Sequence, residues 1–305
     1  MSRAVVYEEY GDPGVLKIVE VEPPQPGPGQ VRVRVKAAGV QPFDVKQRRG
    51  ETAAWAPARF PQGSGGEAAG VVDALGDEVA GIAVGDEVLG PTVGAAHAEF
   101  ALAKADQLVA KPAGMSWAEA GALSASGQTA HTALQALRVG AGETVLIHAA
   151  AGGVGTMAVQ IARAWGAAVV GTASEPNHDY LRELGATPVT YDGDLVQRVR
   201  EATPDGVDAA LDAVGTEEAI RASTELVSDK ERIGTLAGQE YAGDYGIRIL
   251  GLKNSAARLA ELVELYMAGE LRLRVEATYP LDQAAVAHGE VETGHVQGKV
   301  VLTLD

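Results

Sequence analysis

Residues 144–167 read TVLIHAAAGGVGTMAVQIARAWGA. A short, mostly β-branched run ends in a cluster of alanines and glycines, and an amphipathic stretch follows. In that stretch Val154, Ala158, Ile161, Ala162 and Trp165 fall at i, i+4, i+7, i+8 and i+11, one face of a helix. Strand, glycine turn and helix in that order are what a dinucleotide site requires. Backbone N–H groups at the helix start point at the pyrophosphate, and only residues without bulky side chains let its oxygens approach. Against the pattern G-x-G-x-x-G the segment is Ala150-x-Gly152-x-x-Gly155, with alanine in the first place. A turn in a non-binding α/β domain has the same outline. The context favours binding, because the unit closes about 20 residues further on at Thr172-Ala173-Ser174-Glu175. Residues 144–162 carry no Asp, Glu, Lys or Arg and are about long enough to span a bilayer, yet the glycine cluster reads as a turn between two elements.

Outward from this segment the chain changes character in both directions. Downstream, strand patterns at 168–172, 187–190, 207–212, 232–236 and 247–250 alternate with helix patterns at 177–184, 194–202 and 217–227, which predicts parallel strands with helical crossovers. Just upstream, Ser116 followed by Glu119 is a capping-box signature for an Ala-rich helix running to Leu137. A further helix is expected over 255–268, and the final GKVVLTLD reads as a strand with no helix after it. Near the N-terminus, VRVRVKA (31–37) alternates strictly, with Val31, Val33, Val35 and Ala37 on one face. The proline-rich EPPQPGPG (22–29) is loop or edge, and short apolar runs between Gly and Pro punctuation point to a compact antiparallel barrel. The expected division is 1–115, 116–252 and 253–305.

Composition narrows the partners. With 25 Lys and Arg against 41 Asp and Glu the formal charge is −16, which disfavours nucleic acid and anionic membrane surfaces. At 46% apolar residues the chain has enough to bury two cores. There is no Cys, hence no disulfide and no thiolate ligand, which fits a reducing, cytoplasmic setting. The six histidines, His97, His131, His148, His178, His288 and His295, show no metal-ligand spacing, and no metal is expected. The first residues do not form a secretory signal.

Five segments carry a resemblance: AVVYEEYGDPGVLKIVEVEPPQPGPGQVRVRVKAAGVQPFDVK (4–46), GEAAGVV (66–72), VGDEVLG (84–90), AAAGGVG (149–155) and TGHVQGKVVL (293–302). In this order they resemble the medium-chain dehydrogenase/reductase superfamily and, within it, the zinc-independent, zeta-crystallin-like quinone oxidoreductase branch. The resemblance implies an α/β protein with a GroES-like antiparallel β-barrel domain, a Rossmann doubly wound parallel sheet domain, and a C-terminal segment that returns to the barrel. It also implies a homodimer through Rossmann edge strands, with 247–250 as the edge. In the zinc-dependent branch a Cys follows the first long barrel strand and a Gly-His-Glu supplies further metal-site residues. Here the corresponding stretches are Gln41-Pro42 and Gly65-Gly66-Glu67. The chemistry left is hydride transfer from NADPH, with NADH as the alternative, to a quinone or activated alkene.

The same comparison marks site residues. Gln41 stands where the family has Asn; its amide is a donor to an acceptor oxygen gaining charge, while Gln41 and Asp44 read otherwise as braces of a barrel loop. Thr129, in Ser126-Gly127-Gln128-Thr129-Ala130, faces the cofactor or bonds its own helix. Ala151, Gly152, Gly153 and Val154 form the pyrophosphate cradle. Ser174 fits a 2′-phosphate, with Pro176 where a basic residue is common, His178 as the nearby basic side chain, and Glu175 as the acid that would favour NAD. Tyr191 resembles the adenosine-side tyrosine or is a packed aromatic. Lys299 is a phosphate contact or a solvated lysine. No tyrosine is marked as proton donor. Three functions follow: an NADPH-dependent quinone reductase, an enoyl or alkenal reductase of the same fold, and a non-catalytic NADPH-binding, crystallin-like protein.

Overall fold

The strand read at 31–37 extends in both directions in the computed structural model, which describes residues 1–305. The chain begins with β1 (Ser2–Tyr7), β2 (Lys17–Val21) and β3 (Gln30–Val40), then α1 (Pro42–Arg48), β4 (Gln62–Gly63), β5 (Glu67–Leu75), β6 (Glu87–Pro91), β7 (Phe100–Lys104), β8 (Val109–Ala110) and α2 (Trp117–Ala136). The alternation in β3 works as written. Val31 and Val33 pack against Val72, Val88, Ala103 and Leu108, while Arg32 points outward and pairs with Asp73 at 2.9 Å. Beyond Ala37 alternation stops and Ala38, Gly39 and Val40 are all buried. Ser116 and Glu119 cap α2 reciprocally: Glu119 N–H donates to Ser116 Oγ at 3.2 Å and Ser116 N–H donates to Glu119 Oε2 at 3.1 Å.

One expectation is corrected here. The stretch where Gln41 and Asp44 would brace a barrel loop is instead the helix α1 over 42–48. Pro42 occupies its first turn, and the Gln41 N–H donates to Asp44 Oδ2 at 2.8 Å. A proline at N1 gives up a donor that would be unsatisfied anyway, and an acid in the first turn satisfies another. The stretch PFDVKQR has too few apolar residues to show a helical period, so its capping chemistry was the only local signal.

The second unit alternates without interruption: β9 (Thr144–Ile147), α3 (Gly153–Ala164), β10 (Ala168–Thr172), α4 (His178–Glu183), β11 (Thr187–Val189), α5 (Leu195–Ala202), β12 (Ala209–Asp212), α6 (Glu217–Leu226), β13 (Ile233–Thr235), α7 (Gln239–Tyr245) and β14 (Arg248–Ile249); the helix α8 (Ala256–Met267) follows, its first residues counted with the other unit. Its six strands are parallel in the order β11-β10-β9-β12-β13-β14. The order reverses at β9, which makes the carboxyl end of β9 the switch point of a doubly wound sheet. Leu146, Val170, Val189, Ala210 and Ile233 from five strands pack with Leu195, Val199 and Ile220 from α5 and α6. The short α7 was not visible in the sequence, since QEYAGDY has no apolar period; it stops at Gly246, whose φ is +67°.

The chain ends with β15 (Val275–Pro280), α9 (Ala284–Glu292) and β16 (Lys299–Thr303). β16 runs antiparallel to β3, with Val300 opposite Val40 and Thr303 opposite Ala37, and β15 lies parallel to β16. A seven-stranded sheet of order β15-β16-β3-β5-β6-β8, with β7 also on β3, therefore combines the C-terminal strands with strands from the first 110 residues. β1 makes a smaller sheet with β2 and β4. By contact the first unit is Met1–Ala125 with Asn254–Val263 and Leu273–Asp305, and the second is Ser126–Lys253 with Glu264–Arg272. The architecture is thus a largely antiparallel GroES-like sheet domain plus a parallel Rossmann-like one. No helix is long and apolar enough to cross a membrane.

Candidate functional site

The glycine turn expected to receive the pyrophosphate sits at the switch point. After β9 the chain turns at Ala149, whose φ is +53°, an unusual conformation for a residue with a Cβ. Ala150 N–H donates to the Thr172 carbonyl at 3.0 Å, and Gly152 N–H donates back to the Ala149 carbonyl at 3.0 Å. Gly152 is the extended N-cap of α3, and no acidic side chain occupies the first turn. The positive end of the helix is therefore unopposed, with Gly153 and Val154 inside its first turn. Gly155 is irreplaceable for a different reason: a Cβ there would lie 2.2 Å from the Ala149 carbonyl oxygen and 2.7 Å from Ala150 Cα. At Gly152 the nearest atom to a Cβ is at 3.4 Å, so protein packing does not require glycine there. Ala151 is buried beneath the turn. Thr129 lies half-buried on α2 in the same unit as the turn.

The residues expected on the ribose side lie where β10 and β11 end. Ser174 follows β10, and its Oγ accepts from Asn177 Nδ2 at 3.0 Å. His178 opens α4 and its Nε2 contacts the Ala173 carbonyl at 3.3 Å. Glu175 and Pro176 are exposed, as is Tyr191, 49% accessible just past β11 and so not a packed aromatic. One basic residue escaped the sequence reading. Arg198 of α5 donates to Thr190 Oγ1 at 2.7 Å, which holds an exposed guanidinium at this end of the sheet. Its α5 position gave no motif-level cue.

Beneath the turn lies a second overlooked residue. His148 is 1% exposed, between Thr172 Oγ1 at 3.2 Å and Ser223 Oγ at 3.0 Å. Burial pushes its pKa down to about 4, with Asp212 opposing the shift. A histidine inside the apolar run TVLIHAAA was the available signal.

In the first unit Gln41, Asp44 and Lys299 are brought together around Glu67, which is 1% exposed. Glu67 accepts from the Ala125 N–H at 2.7 Å, from the Gln41 side-chain amide, and from Lys299 Nζ at 3.4 Å. Burial raises the pKa of both Asp44 and Glu67, opposed by neighbouring His97 at Asp44 and by Lys299 at Glu67. Burial lowers Lys299, opposed by Glu67. Lys299, read as a phosphate contact or a solvated lysine, is not solvated. Its side chain is 4% exposed and its ammonium pairs with a buried carboxylate of the barrel unit, where desolvation makes a charge partner obligatory. Nearby, His97 Nε2 meets the Gly39 carbonyl at 3.1 Å, and its ring stands edge-on to His288 at 5.5 Å.

Residues 27–138 match the alcohol dehydrogenase GroES-like domain, and residues 184–302 match the zinc-binding dehydrogenase family. A quinone oxidoreductase of Pseudomonas aeruginosa is 32% identical over 99% of this chain and 99% of its own length. A chloroplastic NADPH-dependent alkenal/one oxidoreductase of Arabidopsis thaliana is 30% identical over 98% of this chain and 79% of its own length. Among solved structures, the Escherichia coli quinone oxidoreductase complexed with NADPH is 27% identical with a TM-score of 0.88, covering 99% of this chain and 100% of that one. A zinc ion does not fit the residues at the corresponding positions. An amide replaces the thiolate, Gly66 replaces the imidazole, and the remaining carboxylate, Glu67, is already engaged by an amide, a backbone N–H and an ammonium.

Proposed function

Since the chain belongs to the medium-chain dehydrogenase/reductase superfamily, with quinone oxidoreductases among its full-length relatives, we propose that it reduces quinones with NADPH. The observation that carries this reading is the cluster around Glu67. With an amide and a glycine where the zinc-dependent branch has metal ligands, and Glu67 held by Lys299, the acceptor is one that takes hydride without Lewis-acid activation, as an electron-poor quinone does. A bound nicotinamide supplies the hydride. The chain's own part is positioning and charge. The α3 N-terminus and the small residues 151–154 receive the pyrophosphate. Gln41 gives one side-chain N–H to Glu67 and keeps a second for an acceptor oxygen that gains charge, while Asp44 holds the Gln41 backbone through its N–H. Solvent completes the hydroquinone with one proton.

NADPH rather than NADH is favoured by Ser174 and by Arg198, the guanidinium beside Thr190, which offset the loss of a basic residue at Pro176. Tyr191, being exposed, suits the adenosine face. A homodimer through β14 is supported by its place at the sheet edge and by the exposure of Ile249 and Leu252. A cytoplasmic location accords with the absence of cysteine.

The second reading, reduction of α,β-unsaturated carbonyls, rests on the alkenal/one oxidoreductase relative. The deciding assay follows NADPH oxidation spectrophotometrically against small ortho- and para-quinones and against enones. Faster turnover of quinones is expected; enones outpacing every quinone would select the second reading, and cofactor binding with no turnover on either would select the crystallin-like one.

A further inference from the structure

His148 takes no direct part in the proposed chemistry, yet it is the most constrained polar side chain under the cofactor turn. Ser223 has one hydroxyl proton, and Ser223 Oγ donates it to the Ala219 carbonyl at 2.9 Å. The 3.0 Å contact between Ser223 and His148 Nε2 must then be donated by the ring. A neutral imidazole carries one N–H, so Nδ1 is an acceptor, and the Thr172 hydroxyl donates to it at 3.2 Å. The residue is therefore held as the Nε2–H tautomer, with all three groups buried. Its backbone N–H donates to the Leu211 carbonyl at 2.9 Å, so β9, β10, β12 and α6 converge on one residue.

Two cofactor-facing segments leave from this point. Ala149, at φ +53°, begins the phosphate turn directly after His148. Thr172 precedes Ala173 and Ser174, and its carbonyl also accepts the Ala150 N–H at 3.0 Å. We propose that His148 is a positioning residue for the dinucleotide: as the Nε2–H tautomer between Thr172 and Ser223 it sets the spacing between the pyrophosphate turn and the ribose-side strand end. The inference rests on the reading of this unit as a dinucleotide site and deepens it. A ligand that spans both segments needs the spacing; a ligand that touches only one does not.

The test compares affinities for NADPH and for adenosine 2′-phosphate, which lacks the pyrophosphate, in the wild type and in His148→Ala, Thr172→Val and Ser223→Ala, alongside thermal melts. His148→Ala should weaken NADPH about tenfold, equivalent to about 1.4 kcal/mol, and the two hydroxyl deletions by smaller factors, while adenosine 2′-phosphate stays within twofold. His148→Gln, which restores a donor toward Ser223, should recover part of the loss. Nitrogen-15 NMR of the ring should report a neutral Nε2–H tautomer. If folded variants bind NADPH as the wild type does, if both ligands weaken equally, or if the ring is the Nδ1–H tautomer, the inference fails. Should His148→Ala not fold, the two hydroxyl variants decide. A wild type that binds no NADPH would instead remove the dinucleotide reading itself.

Discussion

Gly155→Ala should damage both stability and cofactor binding. The added methyl would sit 2.2 Å from the Ala149 carbonyl oxygen and 2.7 and 2.8 Å from Ala150 Cα and C, where ordinary contacts begin at 3.4 Å. Every obstructing atom is backbone, and Ala150 is tied to β10 through Thr172, so no flexible side chain can move aside. The first turn of α3 must retreat by roughly 1 Å. Overpacking of this kind costs about 1–3 kcal/mol of stability. A retreat of that size stretches a hydrogen bond of about 2.9 Å beyond useful length. Losing one charge-assisted bond to the pyrophosphate costs about 2 kcal/mol, or roughly 30-fold in affinity. Gly152→Ala is the control: its Cβ meets nothing closer than 3.4 Å and its φ is −78°, so the melting temperature should hold or rise slightly while NADPH weakens. Differential scanning fluorimetry and NADPH fluorescence titration read the two quantities. Gly155→Ala with wild-type melting and NADPH affinity within twofold would refute the packing argument.

The buried His97 and His288 make the barrel unit acid-sensitive. Both pKa values are lowered by burial, so as pH falls below about 6.5 the unfolded imidazoles bind protons that the folded ones refuse, and the stability they contribute is lost toward the folded pKa. Urea unfolding at pH 7.5 and 5 should show a smaller acid loss in His288→Gln than in the wild type; equal losses contradict it. Lys299→Met should cost about 3–5 kcal/mol by stranding Glu67, yet leave NADPH affinity within twofold; selective loss of NADPH over NADH in a stable variant would return Lys299 to the phosphate. Because Leu250 N–H donates to Thr235, the Ile249 N–H points away from β13, and Ile249→Pro should abolish edge pairing without harming the sheet. Sedimentation velocity should then show monomers, and an unchanged dimer places the interface elsewhere.

Much of the Rossmann-like half was legible because its signals are local. The strand, turn and helix at 144–164 and the alternation after it depend on apolar periods within single elements, and the strand at 168–172 matches β10 to the residue. Helices α1 and α7 were not legible, since 42–48 and 239–245 are short and mostly polar, and short helices are held by caps and packing rather than by an amphipathic pattern. Glu67 was marked only by its place in Gly65-Gly66-Glu67, and His148 looked like an isolated polar residue in an apolar run. Their partners lie 26, 58 and 232 positions away for Glu67 and 24 and 75 for His148, distances no motif spans.

Lys299 shows the division most plainly. Its neighbours in sequence, Gly298 and the apolar run 300–302, mark a strand and a lysine at its start, and nothing in those residues says what the ammonium meets. Local chemistry determined the glycine turn after β9, the absence of thiolate ligands, and the nicotinamide class of the cofactor, because each depends on residue types and spacings within one segment. The antiparallel register of β16 on β3, the capture of Lys299 by Glu67, and the pinning of Gln41 and His148 were decided only by tertiary structure. A buried charge or imidazole takes its properties from the few atoms around it, and those atoms are assembled by the fold from strands far apart in the chain.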